Sequence, residues 1–384
     1  MEKLTELSRK IIEFDTVSFK PNLECAQFLA NCLEDIGAEV SLFHDKKDGK
    51  AQVLGRMGPS ERDFKRKGLI LSGHFDIVPF EKQPGWSVDP LALTFKDELI
   101  YGRGTSDMKV FIVQSMIAAE KYKSSDLKYP LYFLFTCDEE ICCQGISRLL
   151  PELEKIKMQL PSVALIGEPT DGKVYHAHKG VGVFKLRVHG KAGHSSRPDL
   201  GISAIEDMAR VIQLIEEENI ILSKEMNKRC QELYPDFPFN SFNIGAIKGG
   251  LADNMIPEFS EISVSCRSHP ELEADTMISR LEEKVIKLNT KSKIEFVDVM
   301  VAPAMESSCE TPLYETLMEC CHQEKPTGAF FATDAGHVSK LDIDCYICGP
   351  GSLSQAHQPN ESITQSSFYS GVNMVQKSIE RTCF

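Results

Sequence analysis

Apolar residues recur with helical spacing over residues 2–14 and 22–36; the second run starts after Pro21-Asn22 and stops at Gly37, which predicts one capped helix. Short β-rich runs at 40–43, 51–57 and 69–73 predict strands. They are followed by a helical pattern over 109–122, an apolar strand over 130–136, a helix over 144–157 and another apolar strand over 163–167. Strands alternating with helices predict an α/β sheet that is largely parallel at its centre. The texture changes near residue 178. "GVGVFKLRVHG" alternates as a half-exposed strand, and "GISAIEDMARVIQLIEEE" is an amphipathic helix. Strands near 241–247 and 261–267, a helix over 271–288 and a strand near 293–299 complete a β-α-β-β-α-β order, the ferredoxin-like pattern. Beyond about residue 292 the chain is expected to return to its first domain, with a helix at 311–321, a strand near 344–348 and a last helix from about 362. The expected domains are therefore 1–177 plus 293–384, with 178–292 inserted.

Composition narrows the function classes. The 384 residues are 42% apolar and 26% charged, ordinary for a globular protein, with a net charge of −13. That charge argues against nucleic-acid and anionic-membrane partners, which call for basic patches. No apolar run approaches the ~18 residues of a membrane span. The opening "MEKLTELSRKIIEFDTVS" reads as a charged amphipathic helix and not a signal peptide, so a cytoplasmic location is expected. The thirteen cysteines are odd in number and scattered, which predicts free thiols. The single C-x-x-C, Cys345 to Cys348, lies in an apolar stretch that reads as a buried strand, and no second such pair exists to complete a zinc site.

The chemistry gathers at strand ends. The run Leu131–Thr136 leads into Asp138, Glu139 and Glu140, and burying even one carboxylate costs several kcal/mol unless it is paired or bound to a metal. "LILSGHFDIVP" ends in His74 and Asp76, "LIYGRGTSDMK" places Asp107 in a glycine-rich turn, "VALIGEPT" holds Glu168 and "GPGSLSQAHQPNE" holds His357. In open α/β sheets, sites form outside the carboxyl ends of strands. Taken singly each residue has an ordinary reading: Asp107 as a helix N-cap, Glu168 as a solvated strand end, His357 as a surface histidine. Together they offer nitrogen and oxygen donors without thiolate, a set that suits Zn²⁺ or a similar divalent ion. A bridging carboxylate with two further donors on each side would build a two-metal site with ions ~3.5–4 Å apart. In H-x-D both side chains face one way on a strand, so Asp76 could hold the His74 ring.

The segments "SGHFDIVP", "YGRGTSDMK", "TCDEE", "GEPT", "KAGHSS" and "GPGSLSQAHQPNE" resemble, in order and spacing, the two-metal amidohydrolases that include acetylornithine deacetylase, succinyl-diaminopimelate desuccinylase, aminoacylase and carboxypeptidase G. The resemblance covers the whole chain. It implies a zinc-exopeptidase-like α/β/α catalytic sandwich with an inserted ferredoxin-like α+β lid and dimerisation domain. It further implies that Asp107 bridges two divalent ions, Zn²⁺ or alternatively Co²⁺, that His74 and Glu168 complete one site, and that Glu140 and His357 complete the other. Asp76 orients His74, and Glu139 is the general base. His194 stabilises the oxyanion and in this family can come from the partner subunit of a dimer. Asn254 and Arg267 match positions that hold the substrate carboxylate; Thr333, Asp334 and Gly336 line the pocket, with Asp334 offered to a distal ammonium. Asp138 is assigned a supporting or turn-capping role and not ligation.

"PLALTFKDELIYGRGTSDMK", "IGEPT" with "AHKG", and "GPGSLSQAHQPNE" look most like the acetylornithine deacetylase branch, which implies release of acetate from N2-acetyl-L-ornithine. A desuccinylase, or an aminoacylase or dipeptidase, is the alternative. Ser265-Cys266-Arg267 departs from the D-x-R of relatives, and "FFATDAGHVSK" stands where the deacetylases have a Cys-Thr-Glu-Ala-like segment. The first departure bears on the alignment around Arg267 more than on its role, and the second bears on side-chain preference. A non-catalytic relative with structural metals would be expected to lack the base or a ligand, and this chain has all of them.

Overall fold

In the computed structural model of the chain, which describes residues 1–59, 65–225 and 228–384, the strands Leu69–His74 and Leu131–Thr136 are buried at every position. They are neighbours at the middle of a six-stranded sheet. Its order is Glu39–Asp45, Lys50–Met57, Leu131–Thr136, Leu69–His74, Val163–Ile166, Asp344–Ile347. The last four strands are parallel, and the first two are antiparallel additions at one edge. Leu69, Leu71, Phe133 and Phe135 share a core with Ile11, Leu29, Val113 and Phe368 from four helices. Ile70, Tyr132 and Leu134, whose side chains point to the opposite face, are equally buried. Both faces of the sheet are therefore covered, as a parallel sheet requires.

The parallel register aligns the strand ends. His74 lies opposite Thr136, and Ser72 lies opposite Ile166. The residues just beyond these positions, Cys137 to Glu140 and Gly167-Glu168, therefore emerge on the same rim. Helix Lys109–Ala119 packs directly against it. A Cβ added at Gly167 would lie 2.0 Å from the Phe111 ring, so only glycine lets the helix approach the strand end here. A small antiparallel sheet of Thr94–Lys96, Leu99–Tyr101 and Ser362–Thr364 carries the chain into the turn before that helix.

These elements form one compact unit, Met1–His176 with Glu306–Thr327 and Thr333–Phe384; Ala177–Met305 with Gly328–Ala332 form the second. In the second unit a four-stranded antiparallel sheet has the order Ser241–Gly249, Phe259–Ser268, Gly180–His189, Lys293–Ala302. This is the ferredoxin-like arrangement of a β-α-β-β-α-β chain. Burial alternates along Gly180–His189, and its inward residues Phe184, Leu186 and Val188 pack with Val211 and Ile215 of helix Ala204–Leu222 and Leu281 of helix Ala274–Lys287.

Two boundaries differ from the sequence reading. Strand Lys293–Ala302 hydrogen-bonds along Gly180–His189, so the second unit continues to Met305 and does not end at 292. Residues Ser362–Thr364 form a strand, and the last helix begins at Gln365, where the Thr364 hydroxyl accepts from the Ser367 N–H. All thirteen cysteines are free thiols. Among the described residues no helix is long and apolar enough to cross a membrane.

Candidate metal centre and active site

The aligned strand ends bring five donors together in two groups. His74, Asp107 and Glu168 form one, and Asp107, Glu140 and His357 the other, with the donor atoms of each group within 4.8 Å of one another. Asp107 belongs to both. Its Oδ1 lies 3.0 Å from His74 Nε2, and its Oδ2 lies 3.3 Å from His357 Nε2. His357 Nε2 is also 2.8 Å from Glu140 Oε2. Glu139 sits beside the first group, its Oε2 3.9 Å from His74 Nε2, and Glu168 Oε2 is at the same distance. The ordinary readings of Asp107 and Glu168 fail here, while His357 is exposed, as a surface histidine would be. The N-cap of helix Lys109–Ala119 is Met108, without a side-chain cap, so the Asp107 carboxylate is not occupied in capping. Glu168 is buried and does not reach solvent.

Asp76 lies at the base of the rim. His74 Nδ1 faces the Asp76 carbonyl at 3.0 Å and the Asp76 carboxylate at 3.4 Å. A proton held on Nδ1 leaves the Nε2 lone pair directed at Asp107 and Glu168. The Asp76 carboxylate also accepts the Ser18 hydroxyl at 2.8 Å and the N–H groups of Glu139 and Glu140 at 3.2 and 3.3 Å. One fully buried carboxylate thus fixes both the histidine and the turn that presents the two glutamates.

Two supports hold these turns: the first was not assigned from sequence, and the second was assigned without its partners. Glu361 Oε1 accepts the N–H groups of Gly104, Ser106 and Asp107 at 3.0, 2.9 and 3.0 Å, and Oε2 accepts Arg103 Nη1 at 2.8 Å. This buried carboxylate shapes the turn that carries Asp107. The available signal was Arg103, a cation in a glycine-rich turn that goes inside only with a partner. The second is the setting of Asp138. It adopts φ 56° and pairs with Lys50 at 2.7 Å and with Arg148, while its carbonyl accepts the Gln144 N–H. Asp138 therefore points away from the donor groups and anchors the turn from behind.

Asp334 lies in this unit, at the start of the short helix Ala335–Val338 that contains the buried Gly336. Its Oδ2 accepts the Thr136 hydroxyl at 2.6 Å, and its carboxylate groups with Glu139 and Cys143. His194, Asn254 and Arg267 belong to the other unit. There His194 pairs with Met255 in a short ladder, the Ser195 N–H donates to the Asn254 carbonyl, and the His194 Nδ1 accepts from Ser196. His194 and Asn254 are thus neighbours and both are exposed. Arg267 lies in strand Phe259–Ser268, opposite Ser241 and Val181, and is also exposed.

The electrostatics fit a cation at the shared donors. Burial and neighbouring carboxylates push Glu139 and Glu168 well above the ordinary glutamate range and Glu140 to about 7. Hydrogen bonds to Asp107 and Glu140 raise His357 to about 10. Burial opposes ionisation of Asp107, but the two histidines outweigh it and hold Asp107 below its usual value. Glu168 Oε1 is buried with no hydrogen-bond partner among the described residues, a costly arrangement for a carboxylate that a metal would relieve. The donors are all nitrogen and oxygen, one carboxylate is shared, and each group has two donors of its own.

This fold and site define a metal-dependent hydrolase, and the chain belongs to the peptidase family M20/M25/M40, whose model matches residues 70–381. The chain is 33% identical to an acetylornithine deacetylase of Aliivibrio salmonicida over 94% of its length and 92% of the relative's. It is 32% identical to one of Vibrio atlanticus over 99% and 98%. An M20 family metallo-carboxypeptidase from Sulfolobus solfataricus shares the fold, with a TM-score of 0.80 at 17% identity over 99% of both chains. So does a dinuclear metal-binding M20 peptidase of Bacillus subtilis, with a TM-score of 0.64 at 14% identity over 99% and 98%.

Proposed function

We propose that this chain removes the acetyl group from N2-acetyl-L-ornithine to give L-ornithine and acetate, a step of arginine synthesis in the cytoplasm. The observation that carries the hydrolytic reading is the meeting of two donor groups on Asp107 with Glu139 beside them. The choice of substrate is supported by the relatives' names and their near-complete coverage. Asp107 would bridge two divalent ions, Zn²⁺ or alternatively Co²⁺, with His74 and Glu168 on one and Glu140 and His357 on the other. When bound, such a pair supplies Lewis acidity toward an amide carbonyl and brings the pKa of water towards neutrality.

The chain's own residues do the rest. Glu139 takes a proton from the attacking water and returns it to the leaving α-amine, a role suited to a carboxylate whose pKa burial has raised. Asp76 keeps His74 in the tautomer that offers Nε2. His194 donates to the developing oxyanion, where a placed donor is worth ~3–4 kcal/mol. Arg267 and Asn254 hold the α-carboxylate, which a planar guanidinium can grip with two bonds.

We assign catalysis to the first unit and lid and homodimerisation roles to the second, the unit that carries His194. The Ser241–Gly249 strand lies at a sheet edge with Ile247 exposed, and Leu251 just beyond it is 87% exposed. An apolar edge of this kind suits pairing with another copy. A metal-reconstituted assay tests the substrate. N-acetylornithine should be turned over faster than N-succinyl-diaminopimelate or N-acetylmethionine; equal turnover of acetylornithine and acetylmethionine would remove the specific assignment and leave the hydrolase.

A further inference from the structure

A third donor group lies next to the two already described. Cys143 Sγ, a Glu139 oxygen and an Asp334 oxygen lie within 4.8 Å of one another. The left-handed turn at Cys142 and Cys143 brings the thiol back to Glu139, with Sγ 3.4 Å from Oε1. Asp334 is only 2% exposed, and although its Oδ2 is held by Thr136, its Oδ1 has no hydrogen-bond partner among the described residues. A carboxylate oxygen left bare inside the protein is destabilising, and the carboxylate that carries it lies against a thiol and a second carboxylate. One thiolate with two carboxylates is a donor set for Zn²⁺ or Cd²⁺, whereas Mg²⁺ and Ca²⁺ favour oxygen alone.

We propose that Glu139, Cys143 and Asp334 form a further cation site, for Zn²⁺ or Cd²⁺, whose occupation inhibits the enzyme. The inhibitory effect rests on the reading of Glu139 as the base. Glu139 presents its two oxygens to different neighbours: Oε2 faces His74, and Oε1 faces Cys143. A cation on Oε1 withdraws the negative charge with which Glu139 would accept a proton. Burial and the nearby carboxylates keep the Cys143 thiol protonated. Binding therefore breaks its S–H bond, forms a sulfur–metal bond and releases one proton to solvent. The donor types also rank the inhibitors: Cd²⁺ and Zn²⁺ act, and Mg²⁺ at the same concentration does not.

The test titrates the zinc-loaded enzyme with CdCl2, following the ultraviolet cadmium–thiolate band and turnover together, in wild type and Cys143→Ser, with Cys143→Ala as a second variant. In wild type the band should rise as turnover falls. Both variants should lose the band, with inhibition in each scored against its own turnover before cadmium is added. They should need roughly tenfold to a hundredfold more cadmium for the same inhibition, since losing even an outer partner of a ligand weakens metal binding that much. A band that persists without Cys143, or an unshifted inhibition curve, overturns the site. Retained turnover while the Cys143-dependent band forms overturns the inhibitory role. Full turnover in Glu139→Ala would instead overturn the base reading beneath it.

Discussion

Replacing Glu361 by glutamine tests whether the candidate site is held up from behind. The side chain is fully buried, and its size is unchanged by the substitution. The amide oxygen can still accept from Gly104, Ser106 and Asp107, but the other end becomes an NH2 group facing the Arg103 guanidinium. Arg103 is itself 1% exposed, so its charge loses its carboxylate inside the protein. Breaking a buried pair from one side costs about 3–5 kcal/mol. At ~2–4 °C per kcal/mol for a unit of this size, Tm should fall by roughly 6–20 °C. The local readout is unusually clean. Arg103 lies over the ring of Trp86 at 5.1 Å and donates to Gln83, and Trp86 is the only tryptophan in the chain. Its fluorescence should therefore shift in the folded variant. Metal affinity should fall by about tenfold to a hundredfold, as when an outer partner of a ligand is lost. Thermal unfolding, tryptophan fluorescence and metal titration check the three expectations. A variant within about 1 kcal/mol of wild type with unchanged metal affinity would refute the supporting role.

Glu139→Ala should keep its metal content and lose about 10²–10⁴-fold in kcat; metal analysis beside turnover checks this, and loss of both would mean that base and ligand have been exchanged between Glu139 and Glu140. Asp138→Asn should destabilise the fold by about 3–5 kcal/mol by stranding buried Lys50, while the folded fraction binds metal normally. In metal-free protein, Glu140 at about 7 and His357 at about 10 hold their protons longer than in the unfolded chain. The unfolded state then binds fewer protons between the ordinary glutamate value and about 10. Stability should accordingly fall as pH rises through that window, and saturating zinc should flatten the slope. Denaturant titrations at several pH values measure it.

The sequence was most legible where chemistry follows an apolar run. Strand ends are marked by a change from buried apolar to polar residues, so His74, Asp107, Glu139, Glu140, Glu168 and His357 stood out without any knowledge of the pairing. The parallel register that gathers them is a property of the sheet, and the alternation of strands and helices anticipated it. What stayed hidden were partners far apart in the chain. Asp138 finds Lys50 88 positions away, and Glu361 serves a turn 254 positions from it. Thr136 meets Asp334 across 198 positions. No local pattern encodes these distances, because packing decides which of 56 acidic residues a buried cation finds. The boundary near 292 differs for another reason. The strand near 293–299 was already legible as the last strand of the ferredoxin-like order, and strand Lys293–Ala302 does pair along Gly180–His189, so a boundary placed before it cut the pattern one strand short.

The central claim is that Asp107 joins two metal ions. Anomalous diffraction from crystals grown with two equivalents of zinc per chain tests it most directly. The account predicts two peaks ~3.5–4 Å apart, one among His74, Asp107 and Glu168 and the other among Asp107, Glu140 and His357. A single ion there, or both equivalents bound away from Asp107, would contradict it.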